Sequence, residues 1–293
     1  MATIDLVYNP VAGSFSEKRL AELIRALGHH GFDVMPLPTT SEGAVISGKA
    51  DLVCVFGGDG TLRDTVQALG PSAGAVPICI ARSGTVNLVA RELGYPAQPD
   101  EFAARLAKAW ARGPEGWVHS PLYKLGDMPI VSCLSIGPDS TAVAEVSGTL
   151  KRRIGRAAYA VALLRLLRNW PRNTMHITGI LTDGEPFACE AEAAIVSHAA
   201  LYAGPFRLSP RAALAVDSIE LVTLRRSGRV GMLVFILAAI LRLPLDRFGF
   251  AEIRSARRVA FDRCITPVQV DGDHMPDCAY AIEPSGMTLQ YVV

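Results

Sequence analysis

Short apolar runs alternate with amphipathic segments through the first hundred residues of the chain. The runs cover residues 3–8, 32–37, 51–56 and 76–81, and each has the length and composition of a buried strand. Apolar residues at helical spacing predict helices at 16–27, 62–69 and 86–93, and Ser41 is placed to cap a further short helix. This alternation predicts an α/β domain, a doubly wound parallel sheet with helices on both faces.

The pattern changes after Trp117, where longer strands are separated by turn residues. One predicted hairpin joins residues 118–124 to 130–136, and another joins 175–181 to 187–197. These hairpins predict a β-rich second domain, an antiparallel sheet or sandwich. We therefore expect domains at residues 1–120 and 121–286, with a last strand at 287–293 that returns to the first domain.

The loop after the third strand is the strongest candidate for chemistry. It reads Gly57-Gly58-Asp59-Gly60-Thr61 and is followed at once by the helix that contains Leu62. Its glycines are expected to take positive φ and to leave no Cβ in the way of a ligand, while the helix aims free N–H groups at the gap. Asp59 suits such an anion site only if a divalent cation or main-chain donors offset its charge. The loop thus indicates a nucleoside triphosphate with magnesium, although Gly-Asp-Gly is also ordinary turn sequence.

Composition narrows the classes of protein. Half of the 293 residues are hydrophobic, 19% are charged and the net charge is +1, which argues against nucleic acid as a partner. The six cysteines form no C-x-x-C pair, as expected for buried thiols in a reducing cytoplasm. The chain shows no signal peptide, and the apolar run at 230–241 is too short to span a bilayer, so we expect a soluble or peripheral protein.

Two segments combine apolar residues with positive charge. Residues 146–182 contain no acid, and seven basic residues lie between Lys151 and Arg172. A helix of this composition fits an anionic membrane surface, and it fits equally an interior helix with arginines at its ends. Residues 230–243 form a second candidate surface with the same two interpretations.

Four motifs in order resemble the diacylglycerol kinase catalytic family, which also contains sphingosine and ceramide kinases. They are Asn9-Pro10-x-Ala12-Gly13, the glycine loop at 57–61, Gly84-Thr85-x-Asn87 with Ala90-Arg91-x-Leu93-Gly94, and Val270-Asp271-Gly272-Asp273. The resemblance covers nearly the whole chain. It implies an α/β nucleotide domain similar to NAD kinases and phosphofructokinases, a β-rich sandwich domain that binds lipid, and an active site in the cleft between them.

The resemblance also implies which residues bind ATP. These are Asn9, Pro10, Gly13, Thr40, Gly57, Gly58, Asp59, Gly60, Thr61, Gly84, Thr85 and Asn87. No Walker lysine is present, so loop N–H groups and the metal ion must carry more of the charge that develops in phosphoryl transfer.

The family's acids map onto the second half of the chain. Asp273 is the expected general base where Glu is usual, and Asp271 is its support, with the two roles exchangeable. Asp59 of the glycine loop in the first half is the third residue expected to take part in catalysis. The same Asp-Gly pair also reads as a tight hairpin turn. Asp217 matches an acid that organises Mg²⁺, with the carbonyls of Leu214 and Ile219 as candidate ligands, and Ser218 stands where relatives have glycine.

These features lead to a first hypothesis of an ATP-dependent lipid kinase that phosphorylates a primary hydroxyl of a diacylglycerol-type membrane lipid. A ceramide or sphingoid lipid kinase is the closest alternative. An NAD kinase-like enzyme, which shares the glycine loop, and a non-catalytic lipid sensor are more distant ones. The expected location is the cytoplasm, at the inner face of the membrane, and the sequence leaves open whether the chain forms oligomers.

Overall fold

The computed structural model describes most of the chain. The residues outside the description are 13–14, 84–85, 138–139, 141–173, 225–228, 242, 247–248, 250, 263–267 and 276–279. The predicted basic helix between Lys151 and Arg172 therefore lies outside the described residues. Within the part that is described, no helix is both long enough and apolar enough to cross a bilayer.

The chain divides into two compact units, and the first comprises residues Met1–Leu122 and Ser285–Val293. Its strands are β1 (Ala2–Tyr8), β2 (Phe32–Pro38), β3 (Leu52–Gly57) and β4 (Ile78–Arg82). Its helices are α1 (Glu17–His29), α2 (Asp59–Leu69), α3 (Leu88–Glu92) and α4 (Pro99–Arg112), with 3-10 turns at Gly70–Gly74 and Pro114–Gly116. The four strands pair in parallel in the order β2-β1-β3-β4.

Local sequence explains the elements of this unit. All six residues of β3 are buried, as expected for a central strand of a parallel sheet covered on both faces. Ser16 caps α1 by accepting a hydrogen bond from the Arg19 N–H, and the helix buries an apolar stripe that contains Leu23 and Leu27. The predicted α/β fold of the first half is confirmed.

The second unit comprises Tyr123–Pro284. Its strands are β5 (Val118–Leu125, which begins in the first unit), β6 (Met128–Ile130), β7 (Cys133–Ile136), β8 (Met175–Leu181), β9 (Pro186–Ala191), β10 (Ala193–Ser197), β11 (Ile219–Leu224), β12 (Glu252–Phe261), β13 (Val268–Val270), β14 (Asp273–Met275) and β15 (Ala281–Tyr291). One helix among its described residues, α5, covers Arg229–Ile240. Six strands pair antiparallel in the order β14-β13-β7-β10-β11-β12, and β8 and the start of β15 also pair with β12.

Both faces of the central strands of this unit are covered. In β10, Ala194 and Val196 face one hydrophobic cluster, whereas Ala193 and Ile195 face a second cluster that contains Phe235 of α5. This is why β10, with the sequence AAIVS, reads as a nearly continuous apolar run and not as an alternating one. The β-rich character predicted for the second half is confirmed.

Several predicted details are wrong, each for a local reason. No helix follows Ser41, because Thr40 and Gly43 exchange backbone hydrogen bonds of 2.8 and 3.2 Å and Gly43 takes a φ of +122°. The strand predicted at 187–197 breaks at Glu192, whose N–H donates to the Leu224 carbonyl, so that its two halves join different partners.

The last strand begins earlier than the sequence predicts, at Ala281, and Pro284-Ser285-Gly286 lies within it. Before that tripeptide the strand pairs with β12, and at Tyr291 it pairs with β4 of the first unit. A proline that cannot donate to a ladder and a glycine at φ +78° suit the point where the strand changes partners.

Candidate functional site

The glycine loop of the first unit opens directly onto the start of α2. β3 ends at Gly57, Gly58 is the N-cap of α2, and the first intrahelical hydrogen bond runs from the Leu62 N–H to the Gly58 carbonyl over 3.0 Å. An N-cap glycine has no side chain that could accept hydrogen bonds from the first-turn amides. The N-terminus of this helix is thus a suitable place for an anion, as the sequence predicts.

The glycines of this loop are needed for close approach, not for unusual backbone angles. The prediction that they take positive φ is wrong, because Gly57, Gly58 and Gly60 are not among the described residues with positive φ. Instead, a Cβ on Gly57 would lie 2.6 Å from the Cβ and Oγ1 of Thr61, and one on Gly58 would lie 3.6 Å from Oδ1 of Asn87. The loop therefore packs tightly against its own helix and beside the second glycine motif.

The Asp59 carboxylate is bound to main-chain donors. Its two oxygens accept hydrogen bonds from the N–H groups of Leu88, at 2.8 Å, and Val89, at 3.1 Å, at the start of α3. Asn87, just before them, is buried and has a φ of +48°. Main-chain donors thus offset the charge of Asp59, and the same contacts join the two glycine motifs.

The other predicted ATP-binding residues of this unit lie along one edge of the sheet. Asn9 follows β1 and accepts a hydrogen bond from the Val11 N–H at 3.0 Å, with exposed Pro10 beside it. Thr40 follows β2, and its hydroxyl donates to the Gly43 carbonyl at 3.3 Å. Since parallel strands bring their carboxyl ends to one edge, these residues share that edge with Gly58. Gly13, Gly84 and Thr85 lie outside the described residues.

In the second unit, Asp271 and Gly272 form a tight hairpin turn between β13 and β14. Their φ values are +51° and +92°, and Val270 pairs with Asp273 across the turn, as in a type I′ hairpin. The buried Asp271 carboxylate accepts hydrogen bonds from the N–H groups of Val131, Ser132 and Cys133 at 3.1, 2.8 and 3.1 Å, and from the Ser132 hydroxyl at 2.7 Å. Asp271 thus anchors the turn, and Asp273 is the half-buried acid that follows it.

The anchored loop also explains a wrong pairing prediction. The sequence predicts a hairpin between residues 118–124 and 130–136, but only 123–125 pair with 128–130. Because the amides at 131–133 donate to Asp271, the chain turns away there, and β7 pairs with β10 and β13.

A chain of contacts leads from this loop to Asp217. The Ser132 carbonyl accepts hydrogen bonds of 2.9 Å from the N–H groups of His198 and Ala199. The buried His198 ring lies 3.3 Å from the Ser218 carbonyl through Nδ1, and its centroid is 5.4 Å from that of Tyr123. Asp271 and the candidate metal-organising acid Asp217 are therefore linked by one chain of contacts.

Asp217 is half-exposed and already has two partners. Its carboxylate accepts a 3.3 Å hydrogen bond from the Tyr123 hydroxyl and lies 3.5 Å from Nη1 of Arg257. Burial, followed by the charge of Asp217, raises the pKa of Tyr123 well above its usual value. Ser218 does not take a positive φ, so this turn does not need the glycine that relatives carry.

Leu214 and Ile219, the proposed carbonyl ligands of a metal ion, lie on either side of Asp217 in sequence. Leu214 is buried, and Ile219 pairs with Ala256 in the ladder between β11 and β12. No group of three or more His, Cys, Asp or Glu side chains that could hold a metal ion occurs in the part of the chain that the structure describes. A hard cation here would have to rely on Asp217, on carbonyl oxygens and on the substrate's phosphates.

Sequence reasoning missed Tyr123, Ser132 and Arg257. Tyr123 and Ser132 lie within predicted strands. In a strand pattern a tyrosine is counted as an apolar residue, and a single serine does not suggest a functional contact. Arg257 lies on the long strand β12 and has no motif of its own. No pattern along the chain signals these contacts, because each joins residues far apart in sequence.

Comparisons with known proteins indicate the class of enzyme. Residues 3–113 match the model of the diacylglycerol kinase catalytic domain. A diacylglycerol kinase of Bacillus subtilis is 24% identical over 231 residues, which cover 76% of this chain and 74% of that protein. One from Staphylococcus carnosus is 25% identical over 287 residues, 92% of this chain and 88% of that protein.

A solved structure agrees in fold. It is described as a diacylglycerol kinase from Bacillus anthracis, and it matches with a TM-score of 0.71 and 22% identity over 99% of this chain and 96% of that one. The chain is a kinase. More particularly, its residues 3–113 resemble the diacylglycerol kinase catalytic domain, and the relatives that match most of its length are bacterial diacylglycerol kinases.

The packing of Gly57 gives a testable prediction. We expect Gly57→Ala to lower the free energy of unfolding by about 1–3 kcal/mol, because the new methyl group would overlap the Thr61 side chain. Gly28→Ala is the matched control, since it lies in α1 with nothing within 4 Å and should be neutral or stabilising. Urea unfolding of both variants measures the difference. Equal stabilities would contradict the close approach of the loop to its helix.

Proposed function

We propose that this protein is an ATP-dependent lipid kinase, which transfers the γ-phosphate of ATP to a primary hydroxyl of a diacylglycerol-type membrane lipid. One observation carries the proposal: the N-terminus of α2 begins at a glycine with no capping side chain, while Asp59 beside it is held by the amides of α3. A phosphate group bound at this end of α2 would accept hydrogen bonds from the first-turn amides of the helix. The kinase family and the names of the relatives support the same class of reaction.

The first unit binds the nucleotide in this proposal. The residues that hold ATP are Asn9, Pro10, Gly13, Thr40, Gly57, Gly58, Asp59, Gly60, Thr61, Gly84, Thr85 and Asn87. Gly58 supports this assignment, because it presents backbone without a Cβ at the end of a buried strand. A bound Mg²⁺ would offset phosphate charge, and in the second unit Asp217 would organise it with the carbonyls of Leu214 and Ile219.

In this proposal the second unit binds the lipid acceptor and provides the general base. Asp273 accepts the proton of the lipid hydroxyl as that oxygen forms a bond to the γ-phosphorus, while the bond from phosphorus to the ADP oxygen breaks. Asp271 takes the supporting role, because its carboxylate is occupied by four donors that fix the turn. We assign the two roles in this order and not the reverse.

The decisive test is a panel of lipids incubated with ATP and Mg²⁺ and read by mass spectrometry. We expect phosphatidic acid from diacylglycerol as the fastest product. A faster gain of phosphate on ceramide would reassign the acceptor to a sphingoid lipid, and turnover of NAD in lipid-free buffer would favour a nucleotide kinase. No transfer to any acceptor would overturn the proposal in favour of a lipid sensor.

Substitution of the two acids separates catalysis from architecture. Asp273→Asn should lower kcat roughly a hundredfold or more, with unfolding and ATP binding nearly unchanged. Asp271→Asn should lower the free energy of unfolding by at least about 2 kcal/mol, because it weakens hydrogen bonds to a buried carboxylate. Calorimetry and initial rates measure both effects. Full activity of the Asp273→Asn variant would show that Asp273 is not the general base.

The acceptor also requires contact with a membrane, and α5 offers a surface for it. Phe235 and Ala238 on one side of the helix are buried, with 5% and 2% of their surface exposed. On the other side, Val234, Leu237 and Leu241 are 36%, 55% and 59% exposed, at the i, i+3, i+7 spacing of one helical face.

The charge around α5 favours an anionic surface. Residues 225–245 contain no acid, and four arginines lie at 225, 226, 229 and 242, on either side of the apolar sequence. Basic ends around an exposed apolar face are typical of helices that lie on anionic lipid. This arrangement supports a peripheral protein at the inner face of the membrane, with the cytoplasm as its compartment.

Vesicle binding tests this surface. The double variant Leu237→Gln/Leu241→Gln should bind vesicles containing phosphatidylglycerol about tenfold more weakly or worse, because two half-exposed leucines no longer enter the lipid. Met35→Gln is the control, since Met35 is 53% exposed on β2 of the first unit. Co-sedimentation measures both. Unchanged binding by the double variant would remove α5 from the membrane surface.

A further inference from the structure

Two arginines stand beside the glycine loop of the first unit. Arg82 is the last residue of β4, and it pairs in register with Gly57 at the end of β3. The Ser83 N–H donates to the Gly57 carbonyl at 3.4 Å, which ties the end of β4 to the loop. Arg91 lies on α3, the helix whose first amides hold Asp59. Both arginines are thus attached to the elements that form the proposed phosphate site.

Each of the two guanidinium groups holds one buried donor, Nε, without an acceptor among the residues that the structure describes. The Nε atoms of Arg82 and Arg91 are both buried, and neither donates a hydrogen bond within the described chain. A buried donor without an acceptor costs free energy, and a charged one costs more. Two such donors at one place therefore call for an acceptor that the chain itself does not supply.

The two positive charges also act on each other. Burial, and then the charge of Arg91, lowers the pKa of Arg82 from its usual range. Like charges that lie near each other are unfavourable by themselves, and an anion bound to both offsets their repulsion.

Two neighbouring arginines, Arg19 and Arg105, do donate side-chain hydrogen bonds to backbone carbonyls. Arg19 donates through Nη2 to the Arg82 and Ala97 carbonyls at 3.0 and 3.3 Å. Arg105 donates to the carbonyls of Gly94 and Leu93 at 2.6 and 3.2 Å. These two side chains hold the fold around β4, α3 and α4, whereas the Nε atoms of Arg82 and Arg91 make no such bond within the described chain.

We propose that Arg82 and Arg91 together bind a phosphate group, and that they supply the side-chain cations that a Walker lysine supplies in other kinases. The inference rests on the proposed function, because it takes the nucleotide's phosphates as the physiological ligand. Guanidinium groups suit this role, since their N–H groups match phosphate oxygens in pairs.

Titration calorimetry with two probes tests the pair: ATP with Mg²⁺, and inorganic pyrophosphate alone. We expect Arg82→Gln and Arg91→Gln each to weaken binding of both probes at least tenfold. Arg25→Gln is the matched control, because Arg25 is exposed on α1 and bonds only within its own helix, at Ala21. It should bind both probes as the wild type does.

Thermal unfolding separates binding from structure. Since the buried Nε atoms make no hydrogen bond within the described chain, both Gln variants should unfold at the wild-type temperature or above it, while a structural role predicts a lower one. Wild-type affinity for both probes in the two variants would overturn the inference and leave the kinase proposal intact. Arginine-dependent binding of pyrophosphate without binding of ATP would keep the phosphate site and reject ATP as the nucleotide.

Discussion

The site in the first unit depends on one carboxylate. Asp59 follows the second glycine of its loop and accepts hydrogen bonds from two amides at the start of α3. The contact fixes α3, with Asn87 in a left-handed conformation, beside the beginning of α2. It also satisfies the charge of an acid that would otherwise repel phosphate. The start of α2 can then serve an anion although an acid is its first residue, and both glycine motifs keep a fixed relation to each other.

In the second unit, too, a carboxylate holds backbone amides in place. Asp271 occupies a tight turn and accepts three amide hydrogen bonds from the loop at 131–133, which bends the chain out of one hairpin and into β7. In both units, therefore, an acid that first suggests chemistry holds backbone in place. In the proposed function, the groups that act on the substrates are neighbours of these acids: the amides of α2 in one unit, and Asp273 in the other. This division of labour is why substitution of Asp59 is a poor test of catalysis, and substitution of Asp273 a good one.

Much of the fold could be predicted from apolar runs, because buried strands and amphipathic helices are local patterns. The strands at 3–8 and 51–56 lie within a residue or two of their positions in the structure. Errors arose where distant residues compete for backbone hydrogen bonds, as at Asp271, at Glu192 and at the change of partners in β15. For the candidate site, too, local motifs could be predicted and contacts between distant residues could not. The glycine loop is visible in sequence, whereas the contacts of Asp59, Tyr123 and Arg82 join residues that no local pattern relates.

The proposed nucleotide site requires the first-turn amides of α2 to bind the phosphates of ATP. A crystal structure of the protein with Mg²⁺ and a non-hydrolysable ATP analogue would show whether they do. We expect phosphate oxygens within hydrogen-bond distance of the amide nitrogens of residues 58–61, with Asp59 still bound to Leu88 and Val89. Nucleotide bound elsewhere, or an Asp59 carboxylate that leaves α3 to bind the metal ion, would contradict it.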